Sequence, residues 1–271
     1  MSILAKLDSN TVKTELIKFI KKIAIESNCN TMILGLSGGI DSSIVAYLLK
    51  EATSVENIYT YHLYSSTTPK EDTIHARLIA KKFNLNYKEI AIDDVLDEYL
   101  EVFDTISTFS SNENLKLAIG NLKARIRMSI LYYFANLKNG LVAGTGNRSE
   151  LSIGYMTKFG DGGCDFELIG DIYKSQLKDL AKSWDIPNEI INKEPRAGLW
   201  DNQTDKQEIG MTYDILDQVM YLIEDEKLKN EDIINKMDIS TSEINRIRNK
   251  IKNNKHKIHV PQSPEVNKKL F

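Results

Sequence analysis

Apolar positions recur along this chain with two alternating periods. Residues 11–26 carry Val12, Leu16, Ile17, Ile20, Ile23 and Ala24 as one stripe at helical spacing. Residues 32–36 form a short apolar run that suits a buried strand, and the helical period returns from Asp41 to about Glu51. Residues 57–64 read as a second strand, rich in β-branched and aromatic side chains. Residues 70–83 read as a helix with Thr68 or Pro69 near its start. A third strand at 87–92, a helix at 93–103, a long helix at 113–136 and a fourth strand at 141–145 continue the pattern. Such alternation predicts an α/β fold, a doubly wound parallel sheet with helices on both faces. After Lys206 only helices are expected, and Ser240-x-x-Glu243 is a capping-box pattern before the last one. We expect one domain over residues 1–271, with the core sheet in about 30–190 and a helical C-terminal part in about 205–271. Residues 105–112, 154–164 and 193–204 are rich in Gly, Ser, Thr, Asn or Pro and predict loops of the lid or binding kind.

The strand at 32–36 leads into Gly35, Leu36, Ser37, Gly38, Gly39, Ile40, Asp41 and Ser42, followed by Ser43. A strand, a glycine turn and a helix start make an anion site, because first-turn N–H groups lack partners and carry the positive end of the dipole. Gly38 and Gly39 let phosphate oxygens approach the backbone, and Ser37, Ser42 and Ser43 add hydroxyl donors. A Walker A loop is excluded, since Asp41 stands where its lysine would be. A dinucleotide fingerprint is excluded by the spacing of Gly35, Gly38 and Gly39. An acid in a phosphate loop is unfavourable unless a cation bridges it to phosphate, so Asp41 implies Mg²⁺. The bland alternative makes Asp41 or Ser42 a helix cap behind a tight turn.

Composition narrows the setting. No apolar run approaches the roughly 18 residues that cross a bilayer, and the first residues hold no secretion signal. Cys29 and Cys164 make neither a metal-spaced pair nor a disulfide framework. These features point to the cytoplasm and to no membrane partner. A net charge of −3 argues against a general nucleic-acid binder. Residues 246–271 nevertheless hold eight Lys or Arg and one acid, Glu265. That run fits a solvated basic tail, or a tail that folds over an anionic small molecule.

The fourth strand leads into Gly144-Thr145-Gly146-Asn147-Arg148-Ser149-Glu150. Thr145 offers a hydroxyl to a nucleotide edge or phosphate. Glu150 fits a second oxygen ligand for the cation that Asp41 implies, and equally an acid that complements a helix dipole. Both strand ends are expected to face one crevice. Lys158-Phe159-Gly160-Asp161-Gly162-Gly163-Cys164-Asp165 combines bend-permitting glycines with charge, but its spacing is not that of an EF-hand. Lys174 opens the next helix, where a lysine opposes the dipole, so another task such as reaching phosphate is expected of it.

Ser37-Gly38-Gly39-Ile40-Asp41-Ser42 resembles the pyrophosphate loop of the N-type ATP pyrophosphatases, which GMP synthetase, asparagine synthetase and several tRNA-modifying enzymes share. Asn121-Leu122-Lys123-Ala124-Arg125-Ile126-Arg127-Met128, the 144–150 segment and the 158–163 segment narrow the resemblance. So do Gly198-Leu199-Trp200-x-x-Gln203-Thr204-Asp205 and His256-Lys257. Over nearly its whole length the chain is similar to the ammonia-dependent NAD⁺ synthetases. The resemblance implies a Rossmann-like sheet of the adenine nucleotide alpha-hydrolase type and a homodimer.

It also implies the chemistry. The nicotinate carboxylate of deamido-NAD⁺ attacks the α-phosphate of ATP, pyrophosphate leaves, and ammonia displaces AMP to give NAD⁺. The 35–42 loop would hold ATP phosphates, Asp41 and Glu150 would hold Mg²⁺, and Thr145 and Lys174 would contact ATP. Arg125, Lys158, Asp165, His256 and Lys257 would contact deamido-NAD⁺. Asp165 would also be catalytic by orienting or deprotonating ammonia, and Lys174 would be catalytic as well as an ATP contact. Without the resemblance, Arg125 reads as a helix-surface arginine and His256 as a surface histidine. One position departs: Arg196 stands where the family has a small hydroxyl residue that contacts ATP. Glutamine-using relatives carry an amidase domain, and a first strand at residue 31 leaves no room for one before it, so free ammonia is the expected donor. The alternatives are another N-type ATP pyrophosphatase, such as a tRNA-modifying enzyme, and a nucleotide sensor without catalysis.

Overall fold

The computed structural model describes residues 3–103, 112–200, 203–259, 261, 263 and 264. Five parallel strands form one sheet in the order β3-β2-β1-β4-β5. They are β1 (Thr31–Gly35), β2 (Ile58–Tyr64), β3 (Asn86–Ala91), β4 (Gly140–Gly144) and β5 (Phe166–Glu167). The first half of the chain supplies α1 (Ser9–Glu26), α2 (Ile40–Ala52), α3 (Lys70–Lys82), α4 (Asp93–Val102) and α5 (Asn112–Lys138). After β4 come α6 (Arg148–Ile153), α7 (Lys174–Ser183), α8 (Asn188–Ile191) and α9 (Asp205–Ile209). The chain closes with α10 (Tyr213–Glu224), α11 (Asn230–Lys236) and α12 (Thr241–Ile258). The expected doubly wound parallel sheet is therefore present, with most element ends within one or two residues of the reading. Of the predicted 105–112 loop, residues 105–111 lie outside the described residues. β5 and α8, at two and four residues, are too short to carry a periodic signal.

Burial explains the layering. Met32, Ile33 and Leu34 of β1 are all fully buried, as a central parallel strand covered on both faces requires. One face packs Ile20, Ile44, Leu48, Ile79 and Leu177 from α1, α2, α3 and α7, with Trp184 just after α7. The other packs Leu96 of α4 and Ile126 and Ala135 of α5 against Ile33, Tyr61 and Val142. The Tyr61 and Phe134 rings stack there with centroids 4.2 Å apart. Every residue of α2 from Ser42 to Leu49 is buried, so this helix is apolar nearly all round and its N-terminus is fixed in place. A third cluster joins Ile153 and Tyr173 to Leu216, Met220, Ile233, Ile244, Ile247 and Ile251, and seats the C-terminal helices on α6 and α7. Ser240 and Glu243 form the expected capping box of α12. Among the described residues no helix is long and apolar enough to cross a membrane.

Strand order reverses between β1 and β4, so the carboxyl ends of those two strands flank a crevice. The C-terminal helices close one side of it, and Gly154 is the pivot of that contact. Gly154 ends α6 at φ +66°, and a Cβ there would lie 2.2 Å from the Asn254 Cβ on α12. Asn254 Nδ2 also donates to the Ile153 carbonyl at 3.0 Å. Gly154→Ala is expected to cost about 2 kcal/mol through left-handed strain and displacement of α12. Urea unfolding measures it; a loss below about 0.5 kcal/mol would contradict so tight a junction.

Candidate active site

The turn after β1 is built by its own serines. Ser37 Oγ accepts from the Gly39 N–H at 3.2 Å and lies 3.0 Å from Ser42 Oγ. Ser42 Oγ accepts from the Ser37 N–H at 3.2 Å and donates to the Gly39 carbonyl at 3.2 Å. Ser43 is wholly buried, and its hydroxyl donates to the Gly39 carbonyl at 2.7 Å. Its expected place as a ligand donor is thus corrected. The helical period turns Ser43 inward, where its hydroxyl needs a protein partner. Ser37 is exposed. Gly39 caps α2 without any side-chain bond, which leaves the helix N–H groups open to an anion. Gly38 has φ +79°, and a Cβ there would meet the Asp72 carbonyl at 2.1 Å.

Lys174 is the charged centre. Its side chain is only 3% exposed, and its ammonium donates to Asp41 Oδ2 and lies 3.4 Å from Glu150 Oε1. Asn147 Nδ2 donates to Asp41 Oδ1 at 3.3 Å, and Asn147 with Glu150 forms the capping box of α6. Glu150 is therefore both the dipole-complementing acid and a member of the charged cluster. Burial alone would lower the Lys174 ammonium, but the Asp41 and Glu150 carboxylates overturn this and hold it above its ordinary value. Burial likewise pushes the Glu150 carboxyl well up, against the pull of Lys174. Lys174, expected to reach a phosphate, is here paired with Asp41 and Glu150. Two carboxylates converging on one cation are a hard-oxygen donor set of the kind Mg²⁺ accepts. Among the described residues no group of three or more His, Cys, Asp or Glu is placed to hold a metal ion.

A cleft of about 1050 Å³ opens from this cluster, lined by the 35–41 turn apart from Gly38, together with Thr145, Glu150, Lys174, Arg196 and Lys257. That volume suits a large ligand or two ligands in contact. A strap crosses one end. Lys193 Nζ donates to the Gly38 carbonyl at 2.6 Å and to Asp72 Oδ1 at 2.8 Å. Arg196 Nη2 donates to Glu71 and Asp72 at 2.7 and 2.8 Å, so in this state its charge is engaged by α3. Burial would raise the Asp72 carboxyl, yet Arg196 and Lys193 hold it below its ordinary value. On the opposite wall Asp205 accepts from Tyr213 at 2.9 Å and from Tyr155 at 3.1 Å, and the Tyr213 hydroxyl lies 3.4 Å from Glu150. Behind Thr145, Glu167 Oε2 accepts from the Gly146 N–H at 2.9 Å. Burial raises that carboxyl to about 7.

The remaining expected residues fall elsewhere. Arg125 Nε donates to the Lys158 carbonyl at 3.3 Å, and Lys158 Nζ donates to the His256 carbonyl at 2.7 Å. These three form a surface chain that does not line the cleft, whereas Lys257 does, donating to the Gly154 and Met156 carbonyls at 2.6 and 3.0 Å. Asp165 is exposed and accepts from the Val142 N–H at 2.7 Å and the Tyr132 hydroxyl at 3.1 Å, away from the cleft lining. The sequence reading gave no role to Asp72, Lys193, Asp205, Tyr213 or Glu167. Only Asp205 carried a signal, as the last residue of a motif already singled out.

The family model for NAD synthase matches residues 12–261. The chain belongs to the NAD synthase family. The NH(3)-dependent NAD(+) synthetase of Methanocaldococcus jannaschii is 42% identical over 255 residues, covering 94% of this chain and 96% of that one. The NMN synthetase of Francisella tularensis has a solved structure with TM-score 0.81 and 28% identity, covering 96% of this chain and all of that one, 100%. The NH3-dependent NAD synthetase of Campylobacter jejuni, solved with nitrate, gives TM-score 0.78 and 30% identity over 96% of this chain and 100% of its own. NAD synthetases are ligases that form a C–N bond, and ATP is the family's co-substrate.

Two outcomes follow for this family member. Lys174→Met leaves two carboxylates facing each other and is expected to cost about 3 kcal/mol. Adding Asp41→Asn restores part of it, so a double-mutant cycle in urea gives a coupling of at least about 1 kcal/mol; additive losses would contradict the cluster. Glu167 has a folded value near 7 against an ordinary 4.5, so between these the folded state keeps a proton that the unfolded state releases. Its contribution is full at low pH and falls as pH rises through that window. Glu167→Gln is expected to flatten the loss of stability between pH 5 and 7 by about 2 kcal/mol, after allowing for its partial exposure. Parallel curves for the two proteins would refute this.

Proposed function

We propose that this chain makes NAD⁺ from deamido-NAD⁺, ATP and free ammonia, releasing AMP and pyrophosphate. The observation that carries the reading is the uncapped 35–42 turn facing the Asp41–Glu150–Lys174 cluster in one cleft of a NAD synthase family member. A carboxylate is a poor acylating group until one oxygen becomes part of a good leaving group. The nicotinate carboxylate attacks the α-phosphorus of ATP; the bond to the bridging oxygen breaks, and pyrophosphate departs with the electron pair. Backbone N–H groups of the turn, Ser37 and Thr145 receive charge developing on the phosphates. Mg²⁺, held by Asp41 and Glu150, would neutralise part of that charge. Lys174, released from the two carboxylates, turns its ammonium to the phosphates. Ammonia then attacks the activated carbonyl and AMP leaves.

No enzyme nucleophile is needed. Cys29 is buried with its thiol 2.7 Å from the Asn139 carbonyl, and burial pushes the Cys164 thiol up, so neither suits the thiol chemistry of a tRNA-thiolating enzyme. Arg125, Lys158, Asp165, His256 and Lys257 are assigned to deamido-NAD⁺, and Arg196 to ATP after release from α3. Most of the deamido-NAD⁺ set lies at the surface, which suits a site completed in a homodimer. Val102, Tyr133 and Leu137, exposed at 75, 62 and 65% on α4 and α5, support such an assembly.

The test is a product assay on the purified chain. With deamido-NAD⁺, Mg-ATP and ammonium, NAD⁺, AMP and pyrophosphate are expected in equal amounts without RNA, and glutamine should not replace ammonium. Asp41→Ala should lower turnover at least ~100-fold. ATP binding without pyrophosphate release would favour the sensor reading and overturn this one.

A further inference from the structure

Arg125 and Arg127 stand two positions apart on α5, and residues at that spacing do not share a helix face. Arg125 is exposed and spends its Nε on a surface carbonyl. Arg127 turns the other way and lines the cleft. Its Nε donates to the Leu63 carbonyl at the end of β2, at 2.7 Å. Among the described residues this is its one hydrogen bond, and no carboxylate pairs with it. The acids whose charge acts on it are Asp161 and Asp93, neither within ion-pair distance. Burial pushes the guanidinium down to about 10, the mark of a cation set in a poorly solvated wall. Neither Nη atom is among the buried side-chain atoms that lack a partner, and neither has a hydrogen bond among the described residues, so both keep some access to solvent.

Among the described residues, the other cations that line this cleft spend their terminal nitrogens on acidic or carbonyl partners. Lys174 has Asp41 and Glu150, Lys193 has Asp72, Arg196 has Glu71 and Asp72, and Lys257 has two carbonyls. Arg127 lines the cleft with two NH₂ groups that have no partner among the described residues. An unpaired cation in such a wall is unfavourable, and an arriving anion removes the penalty. The guanidinium fork matches two oxygens of a phosphate.

We propose that Arg127 is an anion-recognition residue of this cleft, taking phosphate oxygens of a nucleotide through its two NH₂ groups. The proposed reaction brings two sources of that chemistry, the triphosphate of ATP and the pyrophosphate of the dinucleotide, and only the naming of these two rests on it. Calorimetry with ATP, deamido-NAD⁺ and inorganic pyrophosphate on the wild type, Arg127→Gln and Arg127→Lys separates them. Arg127→Gln should weaken one nucleotide about tenfold or more and leave the other within about threefold; Arg127→Lys should recover part of the loss. The thermal midpoint of Arg127→Gln should change little, because loss of the Leu63 hydrogen bond is offset by removal of a cation that no carboxylate pairs with. Unchanged affinity for all three probes would overturn the assignment. So would equal weakening of both nucleotides together with a fall in thermal midpoint, which marks a purely structural arginine. If the wild type binds ATP but forms no NAD⁺, the proposed reaction fails while the ATP and pyrophosphate arms still decide the role of Arg127.

Discussion

The Lys174 ammonium ties three separate elements into one centre. Asp41 comes from the start of α2, Glu150 from the first turn of α6, and the lysine from the start of α7. Each of these helices begins at or just after a strand end or loop of the sheet, where a parallel α/β fold gathers its helix N-termini. Three positive dipole ends and one ammonium are offset here by two carboxylates. The carboxylates and the ammonium satisfy one another, and the carboxylates are hard-oxygen donors of the kind a divalent cation accepts. An entering metal and triphosphate would therefore exchange partners with groups already in place rather than assemble a site from loose side chains.

Rigidity behind this centre comes from packing. The run from Ser42 to Leu49 is buried along its whole length, so the start of α2 has little freedom to move. Ser42 and Ser43 bind the Gly39 carbonyl and shape the turn from beneath. The strap through Lys193 and Arg196 is different in kind. It is held by ion pairs to Asp72 and by one bond to the Gly38 carbonyl, contacts that an anionic ligand can replace with comparable ones. The Tyr155–Asp205–Tyr213 bonds connect the strap's far end to Glu150 in the charged centre.

Much of this was legible in the chain itself. Strand and helix periods located β1 to β4 because central parallel strands and their covering helices need long apolar runs. The glycine turn with Asp41 and the 144–150 segment were expected to face one crevice, and both line the same cleft. What escaped notice depended on the third dimension. Ser43 looks like a donor in sequence, but its helical phase faces the core. Arg125 and Arg127 are indistinguishable in a motif, and only the helix face separates the surface residue from the one in the cleft. Glu167 and Asp72 acquire their settings from residues 21 and 121 positions away in the chain, and no local pattern encodes such contacts.

The most direct test of the central centre is ATP affinity with and without Mg²⁺, measured by calorimetry on the wild type and on Asp41→Asn. The account predicts that Mg²⁺ tightens ATP binding to the wild type about tenfold or more and has little effect on the variant. An equal Mg²⁺ effect on both proteins would contradict it, for the carboxylate at position 41 would then play no part in holding the ion.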